Sequence, residues 1–328
     1  MLTVLEICAG GGGQTLGLED AGFEAAGLVE NDRHACATLR FNRPRWRVIE
    51  GDVRELDSAE FRGVDLFAGG VPCPPFSVAG KQLGSDDERD LFPAALRLIE
   101  DIEPRAVLLE NVPGLATRRF SAYRRRLAAR LTALGYWLDW RVLNASEFGV
   151  SQLRPRFILV AVRRNLSPYF AWPLPSGPGH SVGELLADLM GAGGWPGAAD
   201  WAAAASNIAP TLVGGSKKHG GADLGPTRAR AAWQKLGVNG LSLADAPPGP
   251  GFPADSMPRL TLRMTARIQG FPDSWQFQGG KTAAYRQVGN ALPPPVAEAV
   301  GTSLRRALME KTPTYDVDEQ LPLRAQTV

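Results

Sequence analysis

Thr3-Val4-Leu5-Glu6-Ile7-Cys8-Ala9-Gly10-Gly11-Gly12-Gly13 is an apolar run that empties into four glycines. Residues 3–8 read as a short buried strand, and residues 14–21, ended by Gly22, as the helix that follows. Glycines between a strand and a helix let the backbone come close to a ligand. The alternation continues outward. Residues 24–29 and 32–41 give a second strand and helix, residues 47–49 a third strand, and residues 64–68 a fourth that enters Gly69-Gly70. Helix 93–102, strand 106–109, helix 123–134 and strands 138–143 and 157–162 complete the series. Buried strands alternating with helices predict an α/β fold, a mostly parallel sheet covered on both faces.

The whole chain has 328 residues, 44% hydrophobic and 21% charged, which suits a folded protein of about two domains. No stretch approaches the roughly 20 apolar residues of a membrane span, and the N-terminus lacks the basic and apolar regions of a signal peptide. Cys8, Cys36 and Cys73 are too few for a disulfide framework, so reduced thiols in a cytoplasmic protein are expected. The net charge is only +2, but it is unevenly spread. Residues 105–164 hold 12 arginines against Glu110, Asp139 and Glu147, whereas residues 51–104 hold 5 basic and 12 acidic side chains. Such asymmetry fits one polyanion-facing surface, although Arg124-Arg125-Arg126 equally suits a solvated helix face. Residues 173–258 are rich in Gly, Pro and Ala, with linker character at Pro173, Pro175, Gly177, Pro178 and Gly179. They predict a small loop-rich domain. A helical pattern resumes at Leu260, and residues 293–308 read as a last helix before a polar tail.

The glycine turn limits the ligand. Glu30 lies 20 residues beyond Gly10, where an acidic residue can hold ribose hydroxyls. A nicotinamide-binding Rossmann turn needs a third glycine at position 15 or 16, and Thr15 and Leu16 stand there. A nucleoside without a pyrophosphate fits better. Gly51-Asp52-Val53 adds a carboxylate able to accept from an adenine amino group. S-adenosylmethionine meets this description, and no metal is called for.

Gly69-Gly70-Val71-Pro72-Cys73-Pro74-Pro75-Phe76-Ser77 carries the chemistry. A lone cysteine is often a small core hydrophobe. Here it stands just past a strand end, where open α/β sheets bind ligands, between stiffening prolines. One strand later Ala106-Val107-Leu108-Leu109 ends at Glu110-Asn111-Val112. Glu110 reads either as a helix-starting residue or as a second group at the same sheet edge. A thiolate can add to C6 of cytosine if N3 is protonated, and a carboxylic acid kept neutral by burial can supply that proton. C5 then becomes nucleophilic toward a methyl sulfonium, which is covalent catalysis on a base taken out of the stack.

With these motifs in order, the sequence resembles the cytosine-5 DNA methyltransferases, of the bacterial restriction-modification type. The resemblance also rests on Gln152-Leu153-Arg154-Pro155-Arg156, Arg259-Leu260-Thr261, Arg267-Ile268-Gln269-Gly270-Phe271-Pro272-Asp273 and Gln287-Val288-Gly289-Asn290-Ala291-Leu292-Pro293. It covers nearly all of the chain outside residues 173–258. It implies a class I S-adenosylmethionine-dependent fold over residues 1–172, completed by residues 285–311. Residues 173–284 form a small target-recognition domain and residues 312–328 a tail. It implies Cys73, Glu110, Arg154 and Arg156 as catalytic residues. Its cofactor site takes Cys8, Ala9, Gly10, Gly12, Gly13, Glu30, Asn31, Asp52, Val53, Gly70, Pro72, Leu91, Asn290 and Ala291. Four residues depart from the pattern: Cys8 for Phe, Val71 for Pro, Pro74 for Gln and Met264 for Glu. None removes a reacting group.

The resemblance implies double-stranded DNA as substrate and a restriction endonuclease as functional partner, for a monomer in the bacterial cytoplasm. Ser77, Lys81 and Gln82 fall in the loop expected to close over DNA. Within the variable segment Thr211, Leu212, Gly214, Gly215, Lys217, Lys218, Arg228 and Arg230 are the expected DNA contacts, the cations chiefly to phosphates. Two further readings remain open at this point: a tRNA cytosine-5 methyltransferase, and a catalytically silent DNA-binding member of the fold.

Overall fold

The computed structural model describes residues 1–72, 90–215 and 220–311. In them seven strands form one sheet: β1 (Leu2–Ile7), β2 (Phe23–Glu30), β3 (Val48–Glu50), β4 (Leu66–Gly70), β5 (Ala106–Asn111), β6 (Tyr136–Asn144) and β7 (Pro155–Arg163). Their order is β3-β2-β1-β4-β5-β7-β6. The first five pair in parallel, as the alternation predicts. β7 runs antiparallel to both β5 and β6. A parallel return needs a crossover of about a dozen or more residues, usually helical, and residues 145–154 carry only one short 3₁₀ turn. The chain therefore reverses beside β6.

The strands alternate their side chains between two buried layers. Val4, Leu66, Ala68, Leu108 and Val160 face a layer with Leu18 of α1 (Gly13–Asp20) and Val296, Val300 and Leu304 of α10 (Pro294–Leu308). Leu5, Ile7, Phe67, Leu109 and Leu159 face the other layer, covered by α3 (Phe92–Ile102) and α4 (Ser121–Ala133). Between β2 and β3 lies α2 (Arg33–Asn42), whose first turn is capped by the Asp32 carboxylate.

The segment after residue 173 is largely irregular chain around a few short helices. It contains α5 (Val182–Gly191), α6 (Ala198–Ala204) and α7 (Thr227–Gln234). The Ser181 hydroxyl accepts from the Glu184 amide while the Glu184 carboxylate accepts from the Ser181 amide, a reciprocal cap. These helices share a core with α8 (Leu262–Ile268) and α9 (Lys281–Asn290). That core also reaches Leu16, Leu39 and Trp46. Residues 275–278, expected in the recognition region, lie on the glycine turn and α2. The Trp275 indole donates to the Gly11 carbonyl at 3.1 Å, and the Gln276 amide to Asn42 Oδ1 at 2.8 Å.

The basic stretch 105–164 does not form one free cationic surface. Arg105 pairs with Asp65 and Arg130 with Glu100. Arg124 donates to the Leu115 and Thr117 carbonyls, and Arg163 to that of Leu134. Arg154 and Arg156 are inside. These six arginines are taken up by carbonyls and acids that the sequence count could not see, while Arg118, Arg119, Arg125 and Arg126 are exposed. Among the described residues no helix is long and apolar enough to cross a membrane, and no group of three or more His, Cys, Asp or Glu is placed to hold a metal.

Candidate active site

The carboxyl ends of the five parallel strands open into a cavity of about 620 Å³. Asp52 stands just beyond β3, Glu30 at the end of β2, the glycine turn after β1, Gly70 and Pro72 at β4, and Glu110 in β5. Glu30 is fixed by its backbone surroundings: its carboxylate accepts from the amides of Gly10, Asn31 and Asp32, each at 2.8 Å. This leaves oxygen lone pairs for hydroxyl donors. Arg54 holds Asp52 from the solvent side at 2.5 Å, and its hydrogen bonds pull the carboxyl down to about 2.

The turn itself is shaped for close approach. Gly10, at φ 55°, and Gly51 both line the cavity, and a Cβ on either would meet nothing within 4 Å. A side chain there would fill the cradle. Gly12 faces away: it caps α1 at φ 89°, and a Cβ would lie 2.8 Å from Leu39 and Trp275. Gly12 is therefore a packing glycine and does not line the cavity. Cys8 lines it at φ 54°, a left-handed conformation that is strained for any side chain. Burial pushes its thiol up, with Glu30, Glu6 and Asp52 adding to the shift, so it stays a neutral apolar contact.

Across the β4–β5 pair, Gly70 lies opposite Glu110. A Cβ on Gly70 would stand 3.3 Å from Glu110 Oε2, so glycine makes room for the acid. Glu110 is 9% exposed. Arg156 Nε meets Glu110 Oε1 at 2.9 Å. Burial raises the Glu110 carboxyl above its usual range, against the lowering pull of Arg156 and Arg154. Asn111 donates to the Val71 carbonyl at 2.7 Å and so holds the chain just before Pro72.

Arg154 is fully buried. Its guanidinium donates to the carbonyls of Leu212 at 2.8 Å, Gly289 at 2.7 Å and Ala291 at 2.9 Å. It ties residues 211–215 to the end of α9. Leu212, 1% exposed, and Gly214 are buried by this knot. The Leu212 amide donates to Gln152 Oε1 at 2.9 Å, and a Cβ on Gly214 would meet Asn290 Oδ1 at 2.6 Å. Thr211 is partly exposed, its hydroxyl on the Leu153 carbonyl, and Gly215 lines the cavity. On α7 Arg228 is exposed and Arg230 partly so. Cys73, Ser77, Lys81, Gln82, Lys217 and Lys218 lie outside the described residues.

The family model for C-5 cytosine-specific DNA methylases matches residues 2–306. The chain belongs to that family. The methylase is 58% identical over 311 residues to the Type II methyltransferase M.NaeI of Lentzea aerocolonigenes, spanning 94% of this chain and 75% of that one. It is 51% identical over 317 residues to the Type II methyltransferase M.NgoMIV of Neisseria gonorrhoeae, spanning 94% and 99%. Among solved structures, a prophage-encoded DNA modification methyltransferase of Escherichia coli aligns at a TM-score of 0.67. That chain is 24% identical, with 94% of this chain and all of that chain covered, so the likeness concerns the fold. Family and relatives together make this enzyme a DNA cytosine-5 methyltransferase.

Of the residues expected at the cofactor, the methylase gathers all but Gly12 around the one cavity. Sequence reasoning missed Glu6, Gln14, Arg54, Arg286 and Gln287, which also line it. Glu6 and Gln14 flank the glycine turn, but polar residues in a buried strand and in the next helix carry no motif of their own. Met264 replaces Glu at the third position of α8, and its Sδ accepts from the Thr261 amide at 3.3 Å. Sulfur is a weak acceptor, so the cap is retained in weaker form.

Proposed function

We propose that the methylase transfers a methyl group from S-adenosylmethionine to C5 of one cytosine in a short double-stranded DNA sequence, with the target base flipped out. The observation that carries this reading is Glu110, a buried carboxyl group paired with Arg156 on the same cavity wall as Gly70 and Pro72. The donor set suits the cofactor: Glu30 for ribose hydroxyls, Asp52 for the adenine amino group, and Gly10 and Gly51 as a cradle. When bound, S-adenosylmethionine supplies an electrophilic methyl group. The residues do the rest. Cys73 follows Pro72 in the chain and is the nucleophile for C6. Glu110 gives a proton to N3 as the thiolate adds, and Arg156 holds that carboxyl in place. Loss of the C5 proton to water, departure of the thiolate and return of the N3 proton to Glu110 then restore the aromatic ring. Arg154 keeps Leu212 and Gly289 in register behind the site. Residues 173–258 read the target, with Arg228 and Arg230 on phosphates. The name Type II methyltransferase shared by the two relatives supports a pairing with a restriction endonuclease in a bacterial cytoplasm.

The test is methylation sequencing of a random duplex library incubated with enzyme and S-adenosylmethionine, with Cys73→Ala as control. One short motif carrying 5-methylcytosine, absent with the variant, is the expected result. Methylation of tRNA but not duplex DNA, or equal methylation by the variant, overturns the reading.

A further inference from the structure

Between Glu110 and Asp139 the chain carries six arginines and no acidic side chain. Two of them are engaged internally: Arg124 donates to the Leu115 and Thr117 carbonyls, and Arg130 pairs with Glu100. Arg118, Arg125 and Arg126 are exposed, and none has an acidic partner among the described residues. A solvated helix face mixes both signs, and the helix dipole favours acids in the first turn. The first turn of α4 has no acid, and the charge of Arg125 adds to the burial that lowers the Arg124 guanidinium.

The place of this group matters as much as its sign. α4 carries the chain from the carboxyl end of β5 back to the start of β6, so its first turn stands at the sheet edge where Glu110 stands. In that turn the Tyr123 hydroxyl donates to the Asp90 carboxylate, 2.8 and 2.9 Å from its two oxygens. Asp90 precedes Leu91, which lines the cavity. Arg126 lies over the Tyr123 ring, 5.7 Å from its centre. The bonds from Arg124 pin the turn that leads into Arg118. The three cations thus stand on a braced rim of the site.

We infer that Arg118, Arg125 and Arg126 hold backbone phosphates of the duplex whose target base enters the cavity. This rests on the DNA substrate proposed above. It gives the duplex an anchor separate from Arg228 and Arg230. Leu127 and Leu131 seat α4 in the layer against the sheet, whereas Trp233 seats α7 in the core shared with α8 and α9. Phosphate contacts position a duplex and carry no sequence information. The anchor on α4 therefore serves every duplex alike, and residues 173–258 choose among them.

The experiment is duplex binding by wild type and by the triple variant Arg118→Gln, Arg125→Gln, Arg126→Gln. Two duplexes of equal length are used, one with the motif found methylated in the library and one with that motif scrambled. At about 50 mM salt the variant is expected to bind both more weakly by about 10- to 100-fold, with the same factor for each. The slope of log affinity against log salt is expected to fall by about 2 to 3. Calorimetric affinity for S-adenosylhomocysteine within about 2-fold of wild type shows that the variant is folded. The double variant Arg118→Gln, Arg125→Gln leaves Arg126 on the Tyr123 ring and is expected to lower the slope by about 1 to 2. An unchanged affinity and slope would make the group a solvated helix face, and a loss confined to the cognate duplex would make it a base contact. Either overturns the assignment. Failure of the wild type to methylate any duplex would instead overturn the DNA reading beneath it.

Discussion

Glu110 is a carboxyl group whose surroundings pull in two directions. Burial raises it and the two arginines lower it, with burial the larger effect. A raised carboxyl keeps its proton to higher pH, so kcat is expected to fall as pH rises through the Glu110 value. Arg156 holds that value down, so Arg156→Met is expected to move the alkaline limb of the rate profile to higher pH, beyond its loss of turnover. Arg156→Lys keeps the charge and is expected to leave the limb nearer its place. A limb unmoved by Arg156→Met would mean that another group titrates. Glu110→Gln is expected to lower kcat by about 100- to 10,000-fold, the usual range for a general acid, with S-adenosylhomocysteine affinity held within about 2-fold. Equal loss of affinity by calorimetry would make Glu110 structural. Glu6 bears on stability instead. Burial, with Glu30 adding to it, pushes the Glu6 carboxyl up to about 8 from an ordinary value of 4.5, against a hydrogen bond from Thr15. Between those pH values the folded protein binds the extra proton, so stability falls as pH rises. Glu6→Gln is expected to remove that slope. Urea unfolding at pH 5.5 and 8 checks it, since a tenfold change in proton affinity on folding is worth about 1.4 kcal/mol. Identical slopes for both proteins would refute it.

Elements explain why some residues are readable in the sequence and others are not. Strands β1, β2, β4 and β5 show because strands inside a sheet covered on both faces are mainly apolar, and the groups at their ends follow directly. Glu30 and Glu110 are found that way. The reversed β7 is hidden because its own apolar run carries no sign of direction; only the short connection at residues 145–154 does. Helices α5 to α7 are masked by flanking Gly and Pro, although Ser181 and Glu184 already spell a cap. The burial of Leu212 is not readable at all. It depends on Arg154 and on α9, 58 and more residues away in the chain. That contact is tight: a Cβ on Gly289 would lie 2.4 Å from the Gly214 amide nitrogen. Gly289→Ala is expected to destabilise the enzyme by about 1–3 kcal/mol, the range for overpacking, measured by urea unfolding. Unchanged stability would mean that residues 211–215 are not pinned to α9.

At the scale of the molecule, the question is which parts of the chain must travel together. The sheet face bearing Val4, Leu66, Leu108 and Val160 is covered by α10 from the far end of the sequence. Arg105 ties that end back by donating to the Leu308 carbonyl at 2.6 Å. Residues 1–172 alone would leave this face to water, so they are expected to bind a hydrophobic dye and to unfold without a cooperative transition. Joining residues 285–311 covers the face but leaves Trp46, Leu39 and the glycine turn without Trp275, whose ring lies 6.0 Å from that of Trp46. Thr38 would also lose its bond to the Gln278 amide at 2.8 Å. A chain of residues 1–172 linked to residues 259–311 restores α8, Trp275 and α9 together. We expect this longer hybrid to unfold cooperatively and to bind S-adenosylhomocysteine without binding duplex DNA specifically, and the shorter hybrid to do neither. Equal cooperativity and equal binding by the two hybrids would place the boundary at residue 285. A difference between them would assign residues 259–284 to the cofactor side, because a recognition unit that can vary must not carry the wall of the pocket it serves.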